Sequence, residues 1–451
     1  MSTVKASLET RVFNIIQHGA KADGKTVNTK AIQAAIDACG AAGGGTVVVP
    51  AGTIVTGTIW LRSHVELHLQ HGAVLQASPD LDDYNRNDAY AQNWSSGREE
   101  WNGAHLILAV EVEDVAITGT GSIDGNGTVF FAEPIMLPIS HTIWRDGLAL
   151  AKDKKRLRPG QLMVICESRN IRLQDFTIRN ATCWCVFLHG CEDVMVRGLK
   201  ITNGIAAANT DGIDVDSCRN VTISDCIIDT GDDAITLRGD PSMLKDKTRI
   251  CENVVVKNCV VGSSSSVFRI GVGDGTIRNA VFSNIMITRG GIGIHVQSSF
   301  SAGGRGVAIS NITFRDVYAR NVASAFEICA GQSDSTAPIE DIVIDGYHAE
   351  CFSSSSVWGN AQTRLKRVLL RNLDLTVVSR PDTKVKPDTP PETLLTLVGA
   401  DDARMENVRT AWKTTDKGWI RALAMRHSTG VSISEDCRLA EPPPPAPPAD
   451  K

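Results

Sequence analysis

Aromatic residues are scarce in this 451-residue chain, and a long apolar run is missing. Phe, Trp and Tyr together make up 5% of the residues, whereas glycine occurs 39 times. This balance favours an all-β architecture with many tight corners over a helical one. No apolar stretch of about 18 residues is available to span a membrane, and no basic segment followed by an apolar one marks a secretory signal. We therefore expect a cytoplasmic protein without a membrane partner.

Bulk charge and cysteine spacing give no sign of a nucleic-acid or metal partner. The net charge is -5 at pH 7, so no basic surface for nucleic acid is expected. The twelve cysteines form no CxxC pair and lie near no histidine at zinc-finger spacing. Without a secretory signal, we expect reduced thiols that act as small apolar residues. The sequence predicts no metal site and no cofactor, and nothing in it indicates an oligomeric state.

Segments with one common pattern recur along the chain. Each begins with Asn or Asp before an apolar residue, which is Val or Ile except for Ala280 after Asn279. It then alternates apolar and polar residues, turns at a polar corner and alternates again. The first residues of seven such segments are Asn170, Asp193, Asn220, Asn253, Asn279, Asn311 and Asp341. No unit can bury its apolar face alone, and no helix is predicted between units. The repeats therefore predict a right-handed parallel β-helix, since a propeller needs longer units and a leucine-rich repeat needs a fixed leucine frame.

The two ends of the chain differ from the repeats. A helix is predicted at about residues 28–40, with Asn28 as its N-cap and Gly40 near its end. It would cover the open end of the solenoid, whose strand edges otherwise invite pairing. Residues 441–451 are rich in proline and predict a disordered tail. Residues 1–440 would then form a single β-helix domain.

Three aspartates lie beside glycine or beside one another, in “NTDG” (Asp211) and “TGDD” (Asp232 and Asp233). Asp211 and Asp232 are 21 residues apart, close to one coil, and coils stack at about 4.8 Å. Carboxylates so close together are costly when dry and unpaired, and they persist where a cation binds or protons are handled. An inverting glycosidase uses two carboxyl groups with room for a water molecule between them. One of the two carboxyls must stay protonated, and the nearby like charge raises its pKa.

The order of motifs around these carboxylates resembles that of the polygalacturonase family of glycoside hydrolases, family 28. The resemblance is carried by “VFNIIQHGAKADGKTVNTKAIQAAIDAC”, “NTDGIDV” and “TGDDAITLR”, and it runs from about residue 11 to about residue 300. It implies a parallel β-helix enzyme that hydrolyses pectin-derived sugars with aspartates as general acid and base.

The resemblance also implies roles for single residues. Asp232 would be the general acid that protonates the leaving oxygen, while Asp211 and Asp233 would hold and deprotonate the attacking water. Asn209 would help to place Asp211. Arg238 matches a basic position that follows the second acidic motif, and we expect it to contact the substrate.

Two family motifs are missing downstream of the acidic pair. Family polygalacturonases carry Gly-His-Gly on the next coil and Arg-Ile-Lys on the coil after that, and these cations hold a galacturonate carboxylate. Here the two places read “GSSSSVFRIGVGDG” and “GGIGIHVQSS”. We expect Arg269 and His295 to contact the substrate instead, with His189, on the coil before Asp211, as a further candidate.

Several functions fit these observations. The first is an inverting glycoside hydrolase that acts on pectin-derived or related acidic oligo- and polysaccharides. A rhamnogalacturonan-type hydrolase of the same family is an alternative, because such members similarly lack the missing cations. A Ca²⁺-dependent polysaccharide lyase with Arg269 as its base, or a non-catalytic carbohydrate-binding β-helix, would use the same solenoid. The acidic motifs favour the hydrolase.

Overall fold

Parallel strands that stack along one axis make up most of the described chain. The structure, a computed structural model, describes residues 11–95, 101–135, 147–150, 158–204, 207–301, 303–330, 335–360, 362–380, 392–414 and 416–443. One continuous sheet contains 33 strands, and its pairings are parallel. The prediction of an all-β, right-handed parallel β-helix is confirmed. Connections between parallel strands of one sheet are almost always right-handed.

Strands make up most of the regular structure, and short helices are few. The strands of the first coils are β1 (Val12–Asn14), β2 (Asp23–Val27), β3 (Gly45–Val49), β4 (Gly52–Thr56), β5 (Ile59–Trp60), β6 (Val65–Leu69), β7 (Ala73–Ala77), β8 (Ile107–Val110), β9 (Glu113–Gly119) and β10 (Ser122–Asp124). A separate antiparallel pair, which the sequence did not predict, consists of β11 (Phe131–Ile135) and β12 (Gly147–Leu150). Short 3-10 helices lie at Ile15–His18, Leu81–Asp83, Gly127–Val129 and Pro241–Met243.

Three strands make one coil in the centre of the solenoid, and longer strands follow. The central strands are β13 (Met163–Cys166), β14 (Arg169–Gln174), β15 (Thr177–Arg179), β16 (Val186–His189), β17 (Glu192–Arg197), β18 (Lys200–Thr202), β19 (Ile213–Asp216), β20 (Arg219–Ser224), β21 (Ile227–Thr230) and β22 (Ile235–Gly239). The later strands are β23 (Cys251–Ser263), β24 (Ser266–Gly273), β25 (Thr276–Ser299), β26 (Ala308–Cys329), β27 (Ile339–Cys351), β28 (Ser355–Trp358), β29 (Leu365–Val378), β30 (Thr393–Val398), β31 (Ala400–Asp401), β32 (Arg404–Lys413), β33 (Arg421–Arg426), β34 (Ser432–Ile433) and β35 (Arg438–Leu439).

The central coils share one register. Strands β14, β17 and β20 stack on one face, β15, β18 and β21 on a second, and β16, β19 and β22 on a third. Side chains alternate between the interior and the surface, so that Ile171 and Leu173 of β14 are buried while Arg172 between them is exposed. Rows of such apolar residues, one from each coil, form the core along the whole axis.

The corner residues that open the repeats have a left-handed backbone. The φ angles of Asp193, Asn220 and Asn253 are 57°, 58° and 58°, a conformation that Asn and Asp tolerate better than other residues with a side chain. Their side chains also bond from coil to coil: Nδ2 of Asn220 donates to Oδ1 of Asp193 (2.9 Å), and Nδ2 of Asn253 donates to Oδ1 of Asn220 (3.0 Å). These corner residues therefore have a structural task.

Helix α1 (Thr29–Ala41) covers the first coil, as predicted, and buries Ile32 and Ile36. Asn28 stands at the N-cap position, but its side chain does not bond the first turn of the helix. It accepts a hydrogen bond from the backbone N–H of Lys21 (2.7 Å) and donates to the carbonyl of Thr26 (2.6 Å), so it fixes the preceding loop instead.

The described residues cover most of the predicted domain and only the first few residues of the predicted tail. The division into one domain at residues 1–440 and a disordered tail stays a prediction, and residues 444–451 of that tail lie outside the described residues. Ten of the twelve cysteines are buried, which agrees with their predicted apolar role. No helix in the described ranges is long and apolar enough to cross a bilayer.

Candidate active site

The three predicted carboxylates meet at one corner of the solenoid. Asp211 lies two residues before Ile213 at the start of β19, and Asp233 lies two residues before Ile235 at the start of β22. Because Ile213 and Ile235 are paired in register, Asp211 and Asp233 stack on adjacent coils. Asp232 precedes Asp233 in the same turn between strands.

Glycines allow this corner to be tight. A Cβ atom on Gly231 would lie 2.3 Å from the carbonyl oxygen of Ala207 and 2.5 Å from that of Gly204. A Cβ atom on Gly212 would lie 2.4 Å from the carbonyl oxygen of Ala234. Any side chain at either position would force two coils apart, so both acidic motifs need their glycine for close backbone approach.

The carboxylate of Asp232 is fixed by backbone donors. The N–H of Asn209 donates to its Oδ2 and the N–H of Asp233 donates to its Oδ1, each at 3.1 Å. The N–H of Asn209 thus contacts Asp232, and the help of Asn209 in placing Asp211 stays a prediction. The side chain of Asn209 accepts a hydrogen bond from Nη2 of Arg158 (2.7 Å), and this buried arginine also donates to the carbonyl of Ala208 (2.9 Å).

A fourth carboxylate, that of Asp214, lies close to the three predicted ones. It stands in register between Phe187 and Thr236 on β19 and is fully buried. Neither of its carboxylate oxygens has a hydrogen-bond partner among the described residues. We call Asp211, Asp214, Asp232 and Asp233 the acid cluster.

Burial and mutual repulsion make part of this cluster hold protons. Burial raises the pKa of Asp214 to about 8. Burial also raises the pKa of Asp211 well above its ordinary value, and the charges of Asp214, Asp232 and Asp233 raise it further. The pKa of Asp233 is raised by burial and by Asp232, although Arg269 and the N–H of Ser266, which donates to Oδ1 at 3.0 Å, oppose the shift.

Arg238 is the counter-ion of the buried carboxylates. Its Nη1 lies 3.7 Å from Oδ1 of Asp214 and its Nε lies 3.5 Å from Oδ2 of Asp216. The guanidinium carbon lies 4.5 Å from the ring centroid of Trp184. Only 12% of the side chain is exposed. The charge of Arg238 thus faces carboxylates inside the protein, and its predicted contact with the substrate stays a prediction.

Thr236, Arg269 and His295 continue the outward row of Asp214 on the next three coils. Thr236 pairs with Arg269 and Arg269 pairs with His295, so the side chains lie side by side. Nη1 of Arg269 lies 3.1 Å from Nδ1 of His295. Because a guanidinium can only donate, Nδ1 is the acceptor, and the imidazole proton of this neutral histidine is on Nε2. The two predicted substrate contacts are thus adjacent to each other and next to the acid cluster.

His189 lies at the edge of the site with a packing role. It is 3% exposed, stacks on Phe187 with ring centroids 5.0 Å apart, and lies beside Asp216 in register. Its Nε2 is 3.2 Å from the carbonyl oxygen of Asp240. A direct contact between His189 and a substrate stays a prediction, as do the roles predicted for the other site residues.

Sequence reasoning missed Asp214, Asp216 and Arg158. The alternation in “IDVD” places both aspartates on the outward face of β19 next to Asp211, and this signal could have found them. Arg158 carries no comparable signal, because it stands in a run of charged residues that is typical of a solvated loop.

Possible metal ligands lie elsewhere. In the part of the chain that the structure describes, His64, Glu113 and Asp114 are the group whose ligand atoms lie within 4.8 Å of one another. They are outside the acid cluster, and the guanidinium of Arg169 already contacts Glu113.

The unusual pKa of Asp214 predicts how stability depends on pH. Between its ordinary value of 3.8 and its folded value of about 8, the folded protein keeps a proton that the unfolded chain has lost. The free energy of unfolding should therefore fall as pH rises through this interval. Asp214→Asn should weaken that fall and raise the urea midpoint at pH 8 relative to the wild type. Equal slopes for wild type and variant between pH 5 and pH 8 would contradict this, and Asp193→Asn is the control.

The described chain is a parallel β-helix with four carboxylates close together at one corner. Residues 39–245 match the family model described as Glycosyl hydrolases family 28. Over these residues, a little under half of the chain, the protein is similar to that family.

Curated relatives agree with this family over part of their length. An exo-poly-alpha-D-galacturonosidase of Dickeya chrysanthemi is 28% identical over 371 residues, which are 75% of this chain and 60% of that protein. A probable polygalacturonase of Vitis vinifera is 32% identical over 231 residues, 50% of this chain and 44% of that protein. The chain thus spans less than two thirds of these relatives.

Solved structures share the fold. A family 28 exopolygalacturonase of Yersinia enterocolitica superposes with a TM-score of 0.71 at 22% identity, over 94% of this chain and 78% of that one. At this identity the likeness supports the parallel β-helix and carries no conclusion about substrate.

Proposed function

We propose that the protein is an inverting glycoside hydrolase that cleaves glycosidic bonds in pectin-derived or related acidic oligo- and polysaccharides. The observation that carries the proposal is the acid cluster itself. Asp211 and Asp233 stack on adjacent coils beside Asp232, and the carboxylate of Asp232 is oriented by two backbone N–H groups. Protons are retained there at pH values at which an exposed aspartate has lost its own.

In the proposed reaction, Asp232 gives a proton to the glycosidic oxygen as the bond from that oxygen to the anomeric carbon breaks. A water held by Asp211 and Asp233 attacks the anomeric carbon from the opposite face and loses its proton to one of them. The anomeric carbon ends bound to the water oxygen, and one carboxyl has lost the proton that another has gained.

The substrate class rests on Arg269 and on the relatives. Two matched relatives are a galacturonosidase and a probable polygalacturonase, and the sugar in those names carries a carboxylate. Arg269 is permanently charged, and its planar guanidinium suits a carboxylate. It lies beside Asp233, where a sugar at the reacting bond would place its acidic group. A cytoplasmic location stays a prediction, and cell fractionation would test it.

A screen for products tests this function. The purified protein should release reducing ends from galacturonan, rhamnogalacturonan or short oligomers of one of them, and proton NMR should show inverted configuration in the first-formed sugar. The reason is that two carboxylates hold a water instead of attacking the sugar. Retained configuration would refute inversion, and an unsaturated, ultraviolet-absorbing product would identify a lyase.

A further inference from the structure

Phe300 combines exposure with an unfavourable backbone. It directly follows β25, 59% of its surface is exposed, and its φ angle is 54°. A left-handed backbone is rare for a bulky residue and costs conformational energy. An exposed phenyl ring gains nothing from the core, so neither packing nor backbone preference explains a phenylalanine at this position.

The segments on both sides of Phe300 are well fixed. Before it, Oγ of the fully buried Ser298 accepts a hydrogen bond from the N–H of Val307 (2.9 Å). After it, the carboxylate of Asp274 accepts hydrogen bonds from the N–H groups of Gly303 (2.7 Å) and Gly306 (3.2 Å). Described residues before and after the exposed ring are thus bonded to the solenoid.

The ring lies over an arginine of the candidate site. The guanidinium carbon of Arg269 is 5.7 Å from the ring centroid of Phe300. The adjacent Ser299 contributes its Oγ as an acceptor for Nη2 of the same arginine. Arg269 is 9% exposed, and its Nε has no hydrogen-bond partner among the described residues. An apolar face and a mostly buried cation therefore lie together next to Asp233, where Arg269 opposes the rise in pKa that burial causes.

We propose that Phe300 and Arg269 form a sugar-binding subsite beside the acid cluster. The C–H face of a pyranose ring would cover the exposed phenyl ring, which removes apolar surface from water. An oxygen of the same sugar, best a uronic acid carboxylate, would accept hydrogen bonds from the guanidinium. This subsite rests on the proposed function and adds to it a ring-stacking residue on the second coil after the acidic pair.

Binding of tetragalacturonate to an inactive full-length protein tests the subsite. With Asp232→Asn as background, calorimetry should give a Kd about tenfold higher after Phe300→Ala or Phe300→Asn, as expected when an apolar ring partly covered by a ligand is removed. Asn suits a left-handed backbone, so Phe300→Asn should unfold at the same temperature as the parent or at a higher one. Phe300→Trp keeps an aromatic face and should keep the Kd.

The control is Tyr318→Ala. Tyr318 is 52% exposed and stacks on His348 at a different face of the solenoid, so its loss should leave the Kd unchanged. In the active protein, Phe300→Asn should raise KM and leave kcat near the wild-type value.

Two results would overturn the subsite: a native Kd for Phe300→Asn, or a loss of binding in Phe300→Trp as large as in Phe300→Asn. Failure of the proposed function would give a different result, because the wild type would then cleave none of the oligomers. The titration of tetragalacturonate binding would still decide the role of Phe300.

Discussion

Asp232→Asn is expected to lower kcat by about a thousandfold while the protein stays folded. The amide cannot give a proton to the leaving oxygen, and protonation by a positioned acid is the step that a poor leaving group needs. The amide oxygen can still accept a hydrogen bond from the N–H of Asn209 or of Asp233, which bond the carboxylate now. Since the two side chains have nearly the same shape, no cavity is made.

The matched control for this variant is Asp193→Asn. Asp193 is an aspartate at a left-handed corner, where its Oδ1 accepts a hydrogen bond from Asn220. Asparagine fits that backbone and retains an acceptor, so turnover should not change. The measurements are kcat on the best substrate of the product screen and the unfolding temperature of both variants. Near-normal turnover of Asp232→Asn would remove Asp232 from the role of general acid.

The convergence of Asp211, Asp232 and Asp233 was predictable because, in a solenoid, the number of residues between two positions determines how far apart they lie. A separation of about one coil brings two residues to the same corner of neighbouring coils, about 4.8 Å apart. The repeat pattern also identified Asp193 as the opening residue of a repeat, and in the structure it lies at a left-handed corner. Local sequence was sufficient here because every coil contacts chiefly its neighbours.

Burial of outward residues could not be predicted in the same way. Asp214 points away from the core by the alternation of β19, yet it is 0% exposed. The guanidinium of Arg238 lies against it and also against the ring of Trp184 from the preceding coil. Which outward residues are covered depends on side chains from other coils and on inserted segments. Arg158 shows this most clearly, because a run of charges is no sign of contacts with distant carbonyl groups.

Two local departures from the repeat were not predicted from the sequence. The antiparallel pair β11 and β12 interrupts the parallel winding, and the segment has no repeat signature. Asn28 was predicted as a helix cap from its place before an amphipathic run, but its φ and ψ of -103° and 9° differ from the extended backbone that a capping side chain needs. The contacts of Asn28 with Lys21 and Thr26 compete successfully for the same side chain.

Arg238→Met is expected to lower the free energy of unfolding by about 3–5 kcal/mol at pH 8, the usual cost of removing one partner from a buried ion pair. The variant leaves Asp214 and Asp216 buried without their cation. Burial already raises the pKa values of both carboxyls. Without Arg238, the folded protein can keep these two carboxyls buried only in their protonated form. The cost should therefore be smaller at pH 5, where Asp214 is protonated in the wild type as well.

Urea unfolding at pH 5 and pH 8 measures this effect, and Arg278→Met is the matched control. Arg278 pairs with Glu252 at 2.7 Å, and 47% of its side chain is exposed, so its loss should cost about 1 kcal/mol or less. The double variant Arg238→Met/Asp214→Asn should recover part of the stability lost by Arg238→Met at pH 8, because it removes one of the two buried carboxyls that have lost their cation. A cost for Arg238→Met no larger than that of the Arg278 control would show that the buried carboxylates do not depend on this cation. Arg238 would then be available for the substrate contact that its place after the acidic motif first suggested.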